Sequence, residues 1–386
     1  MNLRERLNSK SAIAKIPIMA AFELLPLCNL SCKMCYVRKT ADEVRQAGGI
    51  KDGEWWLALA EEARDCGLLY PLLTGGEPFL HPDIRKILEK MLEMGLQVSI
   101  NSNGTMIDRE MAQFLSKNRP VRINLTLYGA SAETYRRLCG NSGAYERVLQ
   151  AVDLCKEYNI PIKFNASITN ENVDDLEAMI TYAKSVGSPI QIATYMFPPI
   201  RRDSTMIGKN ARLSPEEAGE ARVKADYLQG DPQWFMGQAE RFQRFVPLER
   251  LDEFRQNAED MHMQCRAGCC SFWVDWQGNL TNCGMYGSAV VPMEGRPFAD
   301  AWKELVEETE KVTYHPGCAG CPNRPLCHPC IAMVSNEAGN INGTPEYLCR
   351  TNAAASKYYY EYARKYYPNM KGIAPVSDNV SDPCEI

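Results

Sequence analysis

Pro26-Leu27-Cys28-Asn29-Leu30-Ser31-Cys32-Lys33-Met34-Cys35-Tyr36 follows an apolar run, Ile18–Leu25, that reads as a buried strand. The spacing is C-x3-C-x2-C. Sixteen of the 386 residues are cysteine, so a given three-cysteine spacing arises by chance about 0.03 times in such a chain. Position adds to the signal, because parallel α/β folds place ligand sites at the C-terminal ends of their strands. A four-iron cluster usually takes four thiolates, and three leave one iron open. A structural zinc site normally closes with four ligands, and no nearby His or Cys supplies the fourth.

Outward from this stretch, short β-like runs alternate with amphipathic helical runs. Strands are expected at Ile18–Leu25, Leu68–Leu73, Leu96–Asn101, Val121–Leu127, Ile162–Ile168 and Ile190–Tyr195. Helices are expected at Glu54–Cys66, Pro82–Met94, Arg109–Lys117, Tyr145–Tyr158 and Val173–Val186, with exits at Gly67, Gly95 and Gly187. The strands read as apolar on both faces, as under a double helical cover. Six β-then-α units imply an α/β fold, a partial (β/α)6 barrel followed by a small Cys-rich domain. The expected divisions are residues 1–200 for the barrel, 201–261 for a helical bridge, 262–350 for the Cys-rich domain and 351–386 for a C-terminal helix and tail. Little conventional core is expected in 262–350, where metal replaces burial.

Two further elements bear on chemistry. The second strand runs into Gly75-Gly76-Glu77-Pro78, and the third into Asn101-Ser102-Asn103-Gly104. The C-terminal cysteines read Cys265, Cys269, Cys270, Cys283, then Cys318-x2-Cys321-x5-Cys327-x2-Cys330, then Cys349, with Gly278–Cys283 forming G-x4-C. Taken alone, C-x2-C pairs also suit a zinc ribbon. Cys66, Cys139, Cys155 and Cys384 stand apart and read as small buried hydrophobes.

Together these motifs resemble the radical S-adenosylmethionine (SAM) superfamily with a C-terminal SPASM domain. The resemblance covers roughly residues 18–200 and 262–350. It implies a [4Fe–4S] cluster on Cys28, Cys32 and Cys35 that binds SAM. It also implies SAM contacts from Tyr36, Gly75, Gly76, Glu77, Pro78, Asn103, Thr126 and Asn165. Members often carry Asp where this chain has Tyr128. For the C-terminal region it implies two auxiliary [4Fe–4S] clusters. One falls to Cys265, Cys283, Cys330 and one of Cys269 or Cys270, with Cys269 favoured. The other falls to Cys318, Cys321, Cys327 and Cys349. The usual pattern has x3 where this chain has x2 before Cys330. The spare thiol of the Cys269–Cys270 pair is a candidate hydrogen donor.

The same resemblance points to a ribosomally made peptide as substrate, matured by cross-linking, oxidation or epimerisation, with flavodoxin or ferredoxin as electron donor. A small metabolite or cofactor precursor is the alternative. A non-enzymatic Fe–S carrier or zinc module is the third reading. Gly284 follows the Cys of G-x4-C, where sulfatase-maturating members commonly have Asp, so formylglycine formation is not expected. About 17 residues precede the first strand, too few for a leading peptide-binding domain, so the precursor is expected to dock elsewhere. Met196-Phe197-Pro198-Pro199-Ile200-Arg201-Arg202 is expected to border the barrel mouth, with Arg201 and Arg202 able to hold carboxylates.

Bulk properties exclude other classes. A net charge of -5 and a pI near 5.6 give no reason to expect nucleic acid or anionic membrane as a partner. No apolar run reaches the ~18 residues of a membrane helix. The apolar stretch after Arg4, Arg6 and Lys10 is broken by Lys15, Pro17 and Glu23. A cytoplasmic protein is expected.

Overall fold

Six parallel strands stand side by side in sequence order: β1 (Met19–Glu23), β2 (Tyr70–Thr74), β3 (Ser99–Ser102), β4 (Arg122–Thr126), β5 (Ile162–Ser167) and β6 (Ile190–Ala193). This is a computed structural model, and it describes residues 3–198, 210–251, 253, 261–262, 265–314 and 316–368. Its contacts divide the chain into two units, residues 1–212 with 262–313, and residues 213–261 with 314–386.

Helices precede and link the strands of the first unit: α1 (Leu3–Ala14), α2 (Ala41–Gln46), α3 (Gly53–Asp65), α4 (Ile84–Glu93), α5 (Arg109–Lys117), α6 (Ala132–Cys139), α7 (Gly143–Glu157) and α8 (Leu176–Val186). Their starts are set by side-chain caps. Asp52 accepts from Trp55 N at 2.9 Å and Asp108 from Met111 N at 2.8 Å, each filling an amide left open by the first turn. Helices α1, α2 and α6 were not expected. All three are short or weakly amphipathic, so periodicity alone does not mark them.

The two sheet faces differ, which corrects the expectation of apolar residues on both. Phe22, Leu73, Ile100, Ile123, Leu125 and Phe164 are fully buried. The alternate positions are largely polar. Register sets Glu23 beside Thr74, Asn101 beside Asn124, Thr126 beside Asn165, and Asn165 beside Gln191. Since side chains alternate along a strand, one face is hydrocarbon and the other is a polar wall. The branched residues on the buried face dominate each run and mask the alternation in the sequence.

After β6 the chain enters α9 (Pro215–Gln229) and α10 (Pro232–Phe242) in the second unit. Ser214 and Glu217 cap α9 reciprocally, with Pro215 at its first turn. The chain then returns to the first unit with β7 (Ser271–Val274), β8 (Asn279–Cys283), β9 (Tyr286–Pro292) and α11 (Phe298–Glu310). Strand β7 pairs in parallel with β1, and β8 and β9 extend the sheet antiparallel. The sheet thus has nine strands. This stretch carries a conventional core, contrary to expectation: Phe272, Val274, Leu280, Val291, Phe298 and Leu305 are all buried. The Glu62 carboxylate of α3 accepts from Phe298 N at 2.7 Å, fixing the start of α11.

In the second unit, α12 (Ile331–Ala338) and α13 (Glu346–Tyr366) follow. Helix α13 packs on α9 and α10 through Tyr359, Val223, Phe235 and Phe242. The rings of Phe242 and Tyr359 stack at 4.7 Å. The Tyr-rich segment is therefore a core helix. Among the described residues no helix is long and apolar enough to cross a membrane.

Candidate active site

The loop after β1 is held from two sides. Gly76 N donates to Leu25 O at 2.7 Å and Glu77 N to Leu27 O at 2.9 Å, so the Gly75–Pro78 segment runs along the cysteine loop. A Cβ on Gly75 would lie 2.4 Å from Leu25 O, and one on Gly76 2.2 Å from Leu27 O. Gly75 also has φ +146. Glycine is thus required here by loop-to-loop approach. From another side, Ser31 N and Lys33 N donate to the last carbonyls of α6, Cys139 O at 2.9 Å and Leu138 O at 3.0 Å.

The three sulfurs face polar hydrogens. Leu30 N donates to Cys28 Sγ at 3.4 Å and Arg38 N to Cys35 Sγ at 3.3 Å. Asn103 Nδ2 lies 3.7 Å from Cys28 Sγ and donates to Asn29 Oδ1 at 2.9 Å. Cys32 is buried, and its sulfur takes hydrogen bonds from Cys139 and Tyr128. Those bonds, the Cys139 one first, pull the Cys32 thiol below its ordinary range. Burial pushes the Cys28 thiol up to about 12, with Glu77, Cys32 and Cys35 adding to it. Three adjacent thiolates need a cation among them, which is what a cluster core supplies. The donor set therefore fits a [4Fe–4S] group.

Glu77 is fully buried, and burial raises its carboxyl to about 7. It accepts from Asn103 N at 2.8 Å, Phe79 N at 3.1 Å and Ser102 Oγ at 2.9 Å. Its side chain joins two strand-end loops. Pro78 opens a turn of 3-10 helix, Pro78–Leu80. Tyr36 is half-buried in the cysteine loop. Thr126 and Asn165 are register partners on the polar face. Asn165 Oδ1 is buried without a hydrogen-bond partner among the described residues.

Beyond β6, Met196, Phe197 and Pro198 are described, and Phe197 O accepts from Asn210 Nδ2 at 2.9 Å. Pro199, Ile200, Arg201 and Arg202 lie outside the described residues, as does Cys384.

The remaining cysteines fall in both units. In the first unit, Cys269 N and Cys270 N both donate to Arg266 O at 2.9 Å in a tight turn. Cys270 is fully buried, and its carbonyl accepts from Met19 N at 3.1 Å. Cys269 Sγ lies 3.7 Å from Lys15 Nζ. Cys265 is exposed, and its sulfur accepts from Ala267 N at 3.5 Å. Cys283 Sγ accepts from Met285 N at 3.4 Å. A Cβ on Gly284 would lie 2.6 Å from the Trp273 ring, so this position has no room for a carboxylate.

In the second unit, burial pushes the Cys327 thiol up to about 12, with Cys349, Cys318 and Cys321 adding to it. Cys349, Cys318 and Cys321 thus lie within electrostatic reach of Cys327. Asn352 Nδ2 donates to Cys327 Sγ at 3.4 Å, and Arg222 Nη1 orients that amide at 3.1 Å. Cys330 immediately precedes α12, without a side-chain capping bond to it. Among the described residues no three His, Cys, Asp or Glu side chains close on a single metal ion; an iron–sulfur cube spreads its thiolates more widely.

Sequence reading missed Cys139, placed among the inert cysteines, and the hydrogen bond from Tyr128. Only the fold brings α6 and the end of β4 against Cys32. It also missed Glu23, a buried carboxylate that accepts from Trp273 Nε1 at 3.1 Å.

Residues 22–183 match the model of the radical SAM superfamily. An AdoMet-dependent heme synthase of Methanosarcina barkeri is 27% identical over 338 residues, spanning 81% of this chain and 93% of the relative. A PqqA peptide cyclase of Granulibacter bethesdensis is 27% identical over 227 residues, 56% of this chain and 60% of that one. Streptococcus suis SuiB bound to precursor peptide SuiA superposes with TM-score 0.62 at 17% identity, over 90% of this chain and 81% of that one. Residues 22–183 are thus a radical SAM domain: the protein is an enzyme that takes a [4Fe–4S] cluster and SAM, and a SPASM-like cysteine pattern follows that domain in the sequence.

Proposed function

We propose that this enzyme matures a ribosomally made peptide by abstracting a hydrogen atom from one of its residues. When bound, the cluster and SAM supply a 5′-deoxyadenosyl radical. Cys28, Cys32 and Cys35 hold the cluster, and Tyr128 and Cys139 stabilise the charge on Cys32. The backbone edge of Gly75 and Gly76, with Asn103, Thr126 and Asn165, orients SAM, and Tyr36 lies against its adenine. Cys318, Cys321, Cys327 and Cys349 hold one auxiliary cluster. Cys265, Cys269 and Cys283 are proposed as ligands of the other. Reduced flavodoxin or ferredoxin delivers the electron.

The observation that carries this reading is the radical SAM match over residues 22–183 followed by a second cysteine set, in which Cys318, Cys321 and Cys349 lie within electrostatic reach of Cys327. It supports a closed four-thiolate cluster, suited to electron transfer beside an oxidative or cross-linking step. The PqqA peptide cyclase and the SuiA-bound SuiB fold support a peptide as the partner. The zinc-module and bare-carrier readings fall with membership of an enzyme superfamily.

A second reading has its own support. The heme synthase relative matches over more of its length than the cyclase does, which favours a cofactor precursor. The deciding experiment incubates the anaerobically reconstituted enzyme with SAM and dithionite, plus either a candidate precursor peptide or Fe-coproporphyrin III. Mass change in the peptide, or solvent deuterium incorporated into it, supports the first reading. Conversion of the porphyrin alone overturns it.

A further inference from the structure

Arg122 and Lys163 stand on neighbouring strands of the polar face. Register sets Asn124 beside Lys163, with Arg122 two positions before Asn124 on β4. Arg122 Nε donates to Asn124 Oδ1 at 2.9 Å, and Asn124 Nδ2 donates to Asn101 Oδ1 at 2.7 Å. Asn124 is itself buried. This relay fixes the guanidinium by one edge and leaves its terminal nitrogens free to form a fork. Lys163 Nζ donates to Gln191 Oε1. Among the described residues, both cations thus meet carboxamide oxygens and not carboxylates.

Two like charges held side by side without a counter-charge cost free energy, and an anion relieves that cost. Burial, then the charge of Arg122, holds the Lys163 amine below its ordinary range, consistent with an uncompensated pair. Lys163 lies two residues before Asn165 on β5, about 7 Å along the strand. Lys163 is therefore one small group's length from Asn165, while Arg122, four residues before Thr126, stands about 13 Å from it along β4.

We propose that Arg122 and Lys163 form an anion subsite that holds a carboxylate of the substrate on the polar face, toward the N-terminal ends of β4 and β5. This deepens the peptide reading and rests on it: the carboxylate is an acidic side chain or the peptide's C-terminus. A guanidinium fork with an adjacent ammonium suits either.

The test is competitive acetylation of the intact enzyme with an N-hydroxysuccinimide ester, read at Lys163 by peptide mass spectrometry, with exposed Lys86 as internal control. Four probes are compared: acetyl-glycyl-glutamyl-glycine amide, acetyl-glycyl-glutaminyl-glycine, acetyl-glycyl-glutaminyl-glycine amide, and glutarate. At saturating probe, Lys163 labelling should fall about threefold or more with a carboxylate probe and stay unchanged with the neutral amide. The first two probes separate a side-chain from a C-terminal source. Arg122→Gln should abolish protection, and the wild-type comparison stands without it. Protection by glutarate but by neither peptide keeps the subsite and removes the peptide reading. Equal labelling with all four probes, or equal protection by the neutral amide, overturns the subsite.

Discussion

The backbone N–H of Asn103 donates to the Glu77 carboxylate at 2.8 Å, tying the loop after β3 to the loop after β2. Ser102 Oγ and Phe79 N share the same carboxylate. Glu77→Ala leaves these donors buried and unpaired, and should cost about 2–4 kcal/mol of stability. Glu77→Gln keeps one acceptor oxygen and should cost less. Denaturant midpoints of the two variants check this; equal midpoints would show that the carboxylate ties nothing.

Donors to a cluster thiolate raise its reduction potential by stabilising the added negative charge. Tyr128→Phe and Cys139→Ala should each lower the potential of the SAM-binding cluster, on the order of tens of millivolts. Cys139→Ser keeps a donor and should restore most of the shift. Redox titration followed by electron paramagnetic resonance reads it. Unchanged potentials would make both residues packing alone.

Cys270 is fully buried, whereas Cys269 lies against Lys15 at the surface of the turn. Neighbouring side chains diverge, so the two sulfurs do not serve one iron together. Cys269→Ser should lose about four irons per chain and Cys270→Ser none. Full product yield from Cys270→Ser would end its candidacy as hydrogen donor. Iron loss from Cys270→Ser instead would reverse the assignment.

Burial holds the Asp226 carboxyl above its ordinary range, against the hydrogen bond from Tyr359 and the charge of Arg222. The folded state then binds this proton more tightly than the unfolded chain. The stability it adds at low pH is lost as pH rises from the ordinary carboxylate range through the raised value. Asp226→Asn should flatten that slope. Tyr359→Phe should carry the loss to higher pH. Denaturant midpoints between about pH 4 and 7 check both.

The six strands were legible because each carries a run of branched apolar residues, and β/α alternation admits few topologies. The polar wall was hidden because Phe22, Ile123 and Phe164 dominate runs that read as apolar on both faces. Strands β7 to β9 were hidden by the cysteines around them, although Phe272, Val274 and Leu280 alternate as a strand requires. At the site, local spacing marked Cys28, Cys32 and Cys35. Cys139 lies 107 positions after Cys32, and only the docking of α6 on the cysteine loop gives it a role.

The central claim is a SAM-cleaving cluster on Cys28, Cys32 and Cys35, beside two auxiliary clusters. It is tested most directly by iron content and 5′-deoxyadenosine yield, measured together on the anaerobically reconstituted enzyme with SAM and dithionite. Wild type should hold about twelve irons per chain and release 5′-deoxyadenosine, while the Cys28→Ala, Cys32→Ala, Cys35→Ala variant should keep about eight and release none. About four irons in wild type with zinc making up the rest, or 5′-deoxyadenosine from the triple variant, would contradict it.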